Sequence, residues 1–489
     1  MTSPATTIET PRLKRSLTLW DLILYGVIVI QPVAPMSVFG VLSDRGRGHV
    51  VTMILVAMVG MLFTAISYGR MARAYPSAGS AFTYVGQEIN PALGYVTGWS
   101  MVMDYMLNPM ICIIWCSQQA HVFAPGVSYG AWAIIFAAGF TFLNIQGVKT
   151  SARVNAGLAA GMGLVIAIFF VVAARYIFGH PHDGAEFLTR PFYDPSAWNI
   201  KAVLGGTSIA VLTYIGFDGI STLSEEAENP RRNILLATVL TCLVIGILSA
   251  LEVYAAQLVW PASQPFPNVD TAFTFVAGRA WQPLFAIVGF TLVVANFGSG
   301  MGAQLGAARL LYGMGRSSAL PKSFFGAVDP KRHVPRNNVL FVAVIALAGA
   351  LLVSVGLFSY GLGAEMLNFG ALIAFMGVNL AAYKRYQLHE SSGVLTKVVI
   401  PLLAVLVIAT LLWGNGLIAW IIGGVGLAVL AIIAPPMAGF VICFFLWWHL
   451  GRPAKIAGSI WMAVGIAFGA WKTRCFRGNL IDFELPPEE

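Results

Sequence analysis

Charge is scarce in this sequence: Asp, Glu, Lys and Arg make up 10% of its 489 residues, against roughly a quarter in ordinary soluble domains. A water-soluble globular chain is excluded. Cysteine is scarce too, with five residues (Cys112, Cys116, Cys242, Cys443, Cys475) scattered mostly through apolar runs. Cys112 and Cys116 stand one helical turn apart, yet no further Cys or His pair completes a zinc spacing, so no metal site is expected. No phosphate-binding Gly-Lys loop is present, no paired nucleophile and base, and no glycine fingerprint between a strand and a helix. These absences argue against an ATP-driven pump, a membrane hydrolase or any other enzyme, and leave no cofactor to expect. The net charge of +8 is spread over short loops rather than gathered in one patch, which speaks against nucleic acid. The N-terminus is polar, then basic, before a long run broken by proline. It reads as a cytoplasmic tail (1–16) entering a first span, not as a cleaved signal.

Apolar residues fill the space that charge leaves. They make up 58% of the chain, mean hydropathy is +0.77, and Gly (51), Phe (31) and Trp (13) are plentiful. Small residues suit close helix packing and aromatics suit lipid interfaces. A helix needs ~20 apolar residues to cross the hydrocarbon core. Candidate spans run from Leu17 to Ser43, Val50 to Ala74, Leu93 to Phe123, Tyr129 to Ile145, Val154 to Phe178 and Ala202 to Leu223. A second set runs from Ile234 to Trp260, Pro283 to Ala307, Val339 to Leu357, Met366 to Tyr383, Val398 to Trp413 and Leu417 to Ala434. The expectation is an all-α polytopic membrane protein with about twelve core spans.

Basic residues fall on alternate loops: Arg12, Lys14 and Arg15; Arg70 and Arg73; Lys149 and Arg153; Arg231 and Arg232; Arg316 to Arg336; Lys384 and Arg385. The positive-inside rule makes these loops and the N-terminus cytoplasmic. Beyond Pro435 and Pro436 come two more apolar runs and the cluster Lys472, Arg474, Arg477. Two extra spans would return that cluster to the cytoplasm. A bent twelfth helix followed by an interfacial segment is the alternative.

Two spans are interrupted, and they lie five spans apart. The first contains Gln31, Pro32, Val33, Ala34 and Pro35, and the sixth contains Gly216, Phe217, Asp218 and Gly219. Broken segments at corresponding places in two halves point to a transporter of inverted repeats with its substrate site at the breaks. Ordinary proline and glycine kinks are the plainer reading.

An ionisable group at the centre of a spanning helix costs at least ~2.5 kcal/mol, so each is a functional candidate. Three stand out: Asp104, Asp218 and Glu252. Asp218 sits on a break. Glu252 lies towards the outer end of its helix, where a solvated interfacial role competes with proton coupling. Pro32 and Pro35 have no N–H to offer a carboxylate, so the break makes a poor anion cradle. Asp104 and Asp218 could instead take ammonium groups by charge-assisted hydrogen bonds, with Tyr105, Tyr214 and Phe217 offering cation–π faces. Asp104 as a satisfied buried acid, and Asp218 as a proton relay, remain open beside this. Downstream, Glu225, Glu226 and Glu228 face Arg231 and Arg232 as a charged helix end, and Gly298, Gly302 and Gly306 suggest close packing.

Three stretches carry a resemblance: YPSAGSAFTYVGQEINPALGYVTGWSMVMDY (75–105), YIGFDGISTLSEEAENPRRNI (214–234) and ARLLYGMGRSSALP (308–321). Together they resemble the amino acid, polyamine and organocation permeases over roughly the first 430 residues, and most of all their bacterial putrescine importers. The resemblance implies a LeuT-like five-plus-five inverted repeat with broken first and sixth helices, two outer helices and alternating access, usually proton-coupled. It implies a sixth-helix acid at Asp218 and a third-helix pocket near Asp104 and Tyr105. Leu212 stands where related antiporters carry a substrate-capping Trp, and the fifth span lacks the Lys that some proton-coupled members use. Residues 17–385 would form the core (17–178 and 201–385 as its repeats), 397–450 outer helices, and 451–489 a C-terminal apolar segment and tail. The partners expected are the inner (plasma) membrane, a small amine, polyamine or amino acid, and a proton; oligomeric state stays open. The substrate-site candidates are Gln31 to Pro35, Asp104, Tyr105, Tyr214, Gly216, Phe217 and Asp218; the proton candidates are Asp218, Asp104 and Glu252.

Overall fold

The computed structural model describes residues 17–75, 80–146, 152–181, 184–224, 227–316, 320–332, 334–389, 393–414 and 417–473. The first span breaks in two. Helix α1 (Leu19–Ile30) opens with a reciprocal capping box between Thr18 and Asp21 and stops before Pro32, and α2 (Ala34–Arg45) leaves at 45° to it. A proline cannot supply the N–H that would continue α1, and Pro35 is preset for the first turn of α2. Then follow α3 (Val50–Ala74), a short α4 (Ser80–Glu88), α5 (Pro91–Phe123), α6 (Tyr129–Ile145) and α7 (Ala152–Gly179). The sixth span also breaks: α8 (Ile200–Ala210) tightens into a 3-10 turn over Val211–Thr213, and a 3-10 segment over Phe217–Leu223 completes it.

The second half continues with α9 (Pro230–Val259), α10 (Ala272–Ala280), α11 (Gln282–Arg316), α12 (Lys322–Phe325), α13 (Arg336–Ser354) and α14 (Tyr360–Tyr383). Helices α3 and α9, the second spans of the two halves, pack closely. A Cβ on Gly69 would lie 2.6 Å from Leu235, and one on Gly246 would lie 2.4 Å from the Met58 sulfur. Only residues without a side chain allow that approach. Ten helices are long and apolar enough to span a membrane among the described residues, and the bent α1–α2 pair adds an eleventh. The architecture is the all-α, LeuT-like five-plus-five inverted repeat.

Hydrogen bonds sort the loops into two faces. On one, Thr52 reaches the Phe192 carbonyl at 2.6 Å, and Gln118 reaches Asp270 at 3.3 Å; this is the long-loop face. On the other, Tyr386 donates to the Arg70 carbonyl at 2.7 Å and Tyr75 to Glu88 at 2.8 Å. After α15 (Ile400–Trp413) and α16 (Leu417–Ile433), Gln387 donates to the Ile433 carbonyl at 2.9 Å, which puts the turn at Ala434 on the Tyr75 face. Helix α17 (Pro435–Trp448) returns to the long-loop face, where the Gly451 N–H meets Glu365 at 3.1 Å. Helix α18 (Arg452–Lys472) then runs back along α5 and α14.

The stretch after the sixth span ties down the start of the chain. The Glu228 N–H donates to the Leu17 carbonyl at 2.8 Å, and Leu17 bridges Ala227; Glu225 and Glu226 lie outside the described residues. The glycine stripe of α11 packs only in part. Gly306 abuts the Tyr105 ring, whereas Gly298 and Gly302 meet nothing within 4 Å. Those two lie on an exposed face of α11, which corrects the close-packing expectation at these positions.

Candidate functional site

The two breaks touch. Gly216 has φ of 122°, and a Cβ there would stand 3.1 Å from Val29 and 3.2 Å from Ile30, at the end of α1. Gln31 adopts φ of 68°, a left-handed conformation uncommon outside glycine. Its carboxamide donates to the Ala295 carbonyl on α11, and Asn296 on α11 donates to Ser37 on α2 at 3.0 Å. The first break is thus stitched to α11 from both sides of Pro32. Pro32 leaves the Ile28 carbonyl without the N–H of a continuing helix, so the end of α1 presents acceptors.

Asp218 opens the 3-10 segment at the second break and is 6% exposed. Its Oδ1 accepts the Gly216 N–H at 3.3 Å, and the main-chain N–H groups of Asp218 and Gly219 also point to its carboxylate. Asp104 lies in α5, 7% exposed. It is reached by α14 through Gly370, whose Cβ would stand 3.3 Å from the Asp104 nitrogen. Asp104 and Asp218 are within electrostatic range of each other, and Tyr68 and Tyr105 feel both. No Lys, Arg or His pairs with either carboxylate among the described residues. Pro109, inside α5, removes the N–H that would satisfy the Tyr105 carbonyl. The junction therefore gathers carboxylates and carbonyls, with no cationic side chain among the described residues paired to them.

The aromatic candidates divide. Tyr105 borders the junction beside Gly306. Tyr214 is fully buried and donates to the Ile54 carbonyl on α3 at 2.8 Å. Phe217, also fully buried, is packed between Tyr68 and Phe375, with ring centroids 5.6 and 5.4 Å away. Val33 is buried, Ala34 opens α2, and Pro35 sits in its first turn.

Glu252 corrects the solvated interfacial reading. It is 0% exposed, and neither carboxylate oxygen has a hydrogen-bond partner. The exposed side of α9 carries Leu240, Val244, Ile247 and Leu251, and Glu252 is turned away from it, roughly 100° round the helix.

A cavity of about 560 Å³ opens on the long-loop face, lined among others by Asp44, Arg45, Asp270, Glu365 and Arg452. Arg45, at the end of α2, pairs with Glu365 at the start of α14. Burial pushes Asp270, in the loop before α10, up to about 6. Sequence reading did not single out these loop-end residues, because separate loops assemble them. Among the described residues no three His, Cys, Asp or Glu side chains gather as a metal site.

A polytopic helical body with two broken spans meeting at buried carboxylates defines a membrane transporter. Residues 33–456 match the model of the amino acid permease family, and the chain belongs to that family. It is similar to the low-affinity putrescine importer PlaP of Escherichia coli, 32% identical over 476 residues and 96% of both chains. It is also similar to the branched-chain amino acid permease BcaP of Bacillus subtilis, 26% identical over 397 residues, 76% of this chain and 80% of that one. The cationic amino acid transporter 7 of Arabidopsis thaliana is 25% identical over 409 residues, 77% of this chain and 66% of its own. The protein is a permease of the amino acid, polyamine and organocation type, not an enzyme.

Proposed function

We propose that this permease imports a cationic amine of the putrescine class across the inner membrane by alternating access, driven by a proton gradient. The ten-helix core (17–385) is the transport unit, and the N-terminus is cytoplasmic. The observation that carries the reading is the pair Asp104 and Asp218, two buried carboxylates in electrostatic range at the junction of the breaks, with no cationic side chain paired to them among the described residues. Such a pair is costly without a partner. A diamine supplies two ammonium groups and three donors on each.

The similarity to a protein named a putrescine importer supports the substrate class. The prolines at the first break support it as well, since they thin out the N–H groups that an amino acid's carboxylate would need. Uptake of labelled putrescine into proteoliposomes, with unlabelled diamines and amino acids as competitors, is the test. Competition by diamines and stimulation by an inward proton gradient are expected. Competition by zwitterionic amino acids alone would move the assignment to an amino acid permease.

A further inference from the structure

Glu252 is a buried titratable group that the amine site leaves unused. It is fully buried in α9, and both of its oxygens lack a hydrogen-bond partner. The charged residues borne by the elements packed on α9 include Asp21 on α1, Asp44 and Arg45 on α2, Arg70 and Arg73 on α3, Arg175 on α7, Arg279 on α10 and Asp218 on the 3-10 segment. None of them makes a hydrogen bond or an ion pair with Glu252. An ionised carboxylate in that setting has nothing to offset its desolvation, whereas the neutral acid costs far less.

Asp218 differs in its contacts: three main-chain N–H groups point to its carboxylate, whereas Glu252 has no partner. Of the two acids, Asp218 is the one whose surroundings supply hydrogen bonds to a carboxylate that meets an ammonium.

The depth of Glu252 links it to the break. Thr241, lower on α9, abuts α1 at Gly26, where an ideal Cβ would lie 2.9 Å from its hydroxyl. Gln257, higher on α9, meets Ser43 on α2 at 3.3 Å. Gly26 and Ser43 bracket the Gln31–Pro35 break, as Thr241 and Gln257 bracket Ser249 and Glu252. The hydroxyls of Thr241 and Ser249 are buried on the same side of α9 as Glu252 and, like it, have no partner. Hydroxyls both donate and accept, so this side of α9 is a lane of unused proton-handling groups about 16 Å long. The Gly26 contact is shared with Ile220 of the 3-10 segment that Asp218 opens.

We infer that Glu252 is the proton carrier of the transport cycle, while Asp218 stays ionised to hold the amine. A proton from water at the acidic face bonds to a Glu252 oxygen, crosses with the rearranging breaks, and leaves to water at the other face; no electron moves. The inference rests on the transport reading above. The test compares wild type and Glu252→Gln, full-length in proteoliposomes, by putrescine counterflow without a gradient, by gradient-driven accumulation, and by proton entry read with a trapped pH dye. One pH unit should drive about tenfold accumulation per proton in wild type.

Glu252→Gln, a neutral near-isostere, should melt as wild type does and keep counterflow within about twofold, since the amine site is untouched. Its gradient-driven accumulation should fall to the no-gradient level, and putrescine-linked proton entry should vanish. Ser249→Ala, the milder second variant, should slow proton-driven uptake several-fold and spare counterflow. Continued proton-driven accumulation by Glu252→Gln would overturn the inference and leave the transporter reading standing. If Glu252→Gln does not fold, unslowed proton-driven uptake by Ser249→Ala overturns it. Wild type without putrescine counterflow would sink the substrate reading itself.

Discussion

Trp99 on α5 and Trp461 on α18 exchange hydrogen bonds: each indole N–H donates to the other's main-chain carbonyl, at 2.9 and 3.1 Å. Their rings stack at 4.6 Å and 14°. Tyr95, one turn below Trp99, donates to the Gly465 carbonyl at 3.0 Å. Helix α18 is therefore docked by polar groups on the helix that carries Asp104. In lipid there is little hydrophobic drive to associate helices, so hydrogen bonds and ring packing carry the contact.

Trp461→Ala removes the stacked ring and leaves the Trp99 indole without its π-partner. The expected loss is about 1.5–2.5 kcal/mol, from the one hydrogen bond that the Trp461 indole donates, about 1 kcal/mol, and one aromatic pair of about 0.5–1.5 kcal/mol; the Trp461 carbonyl that accepts from Trp99 remains. It should appear as a lower melting temperature in detergent, with putrescine affinity unchanged because Asp104 and Asp218 stay in place.

Gly216→Ala places a methyl group where φ is 122° and Val29 and Ile30 stand 3.1 and 3.2 Å away. Left-handed backbone and overpacking together cost about 2–4 kcal/mol. The strain falls on the contact between the two breaks, so transport should suffer more than expression. A variant with wild-type uptake rates would show that the breaks need not touch.

Asp270 titrates near 6, above its ordinary value of 3.8, because burial disfavours its charge. A carboxyl whose folded pKa is raised contributes stability that is complete below the unfolded pKa and is lost as pH rises through the folded one. The melting temperature should fall between about pH 4 and 6. Asp270→Asn should flatten that window and stabilise the protein at pH 7.5 by about 1–3 kcal/mol. Melting curves across this range are the check.

Much of this was legible in the sequence because its causes are local. Proline breaks α1 wherever the span sits, Gly216 permits the backbone of the second break, and an acid in an apolar run stands out by its cost. Side-chain direction after a break was not legible, since the tight turns around Tyr214 and Phe217 follow neither helical nor strand period, and both rings turned towards packing. Glu252 was misjudged by its distance along the helix. The period of α9 held the answer, with Val244, Ile247 and Leu251 on one side and Thr241, Ser249 and Glu252 on the other. The docking of α18 through Trp461 joins residues 362 apart, and no local pattern encodes it.

The central claim is that Asp104 and Asp218 hold the two ammonium groups of one diamine. Isothermal titration of putrescine and of butylamine, a single ammonium on the same carbon chain, against wild type, Asp104→Asn and Asp218→Asn tests it most directly. Each substitution should weaken putrescine at least about tenfold, the scale of one charge-assisted hydrogen bond of about 1.5–3 kcal/mol. Butylamine should be sensitive to only one of the two. Wild-type putrescine affinity in both variants would contradict the account.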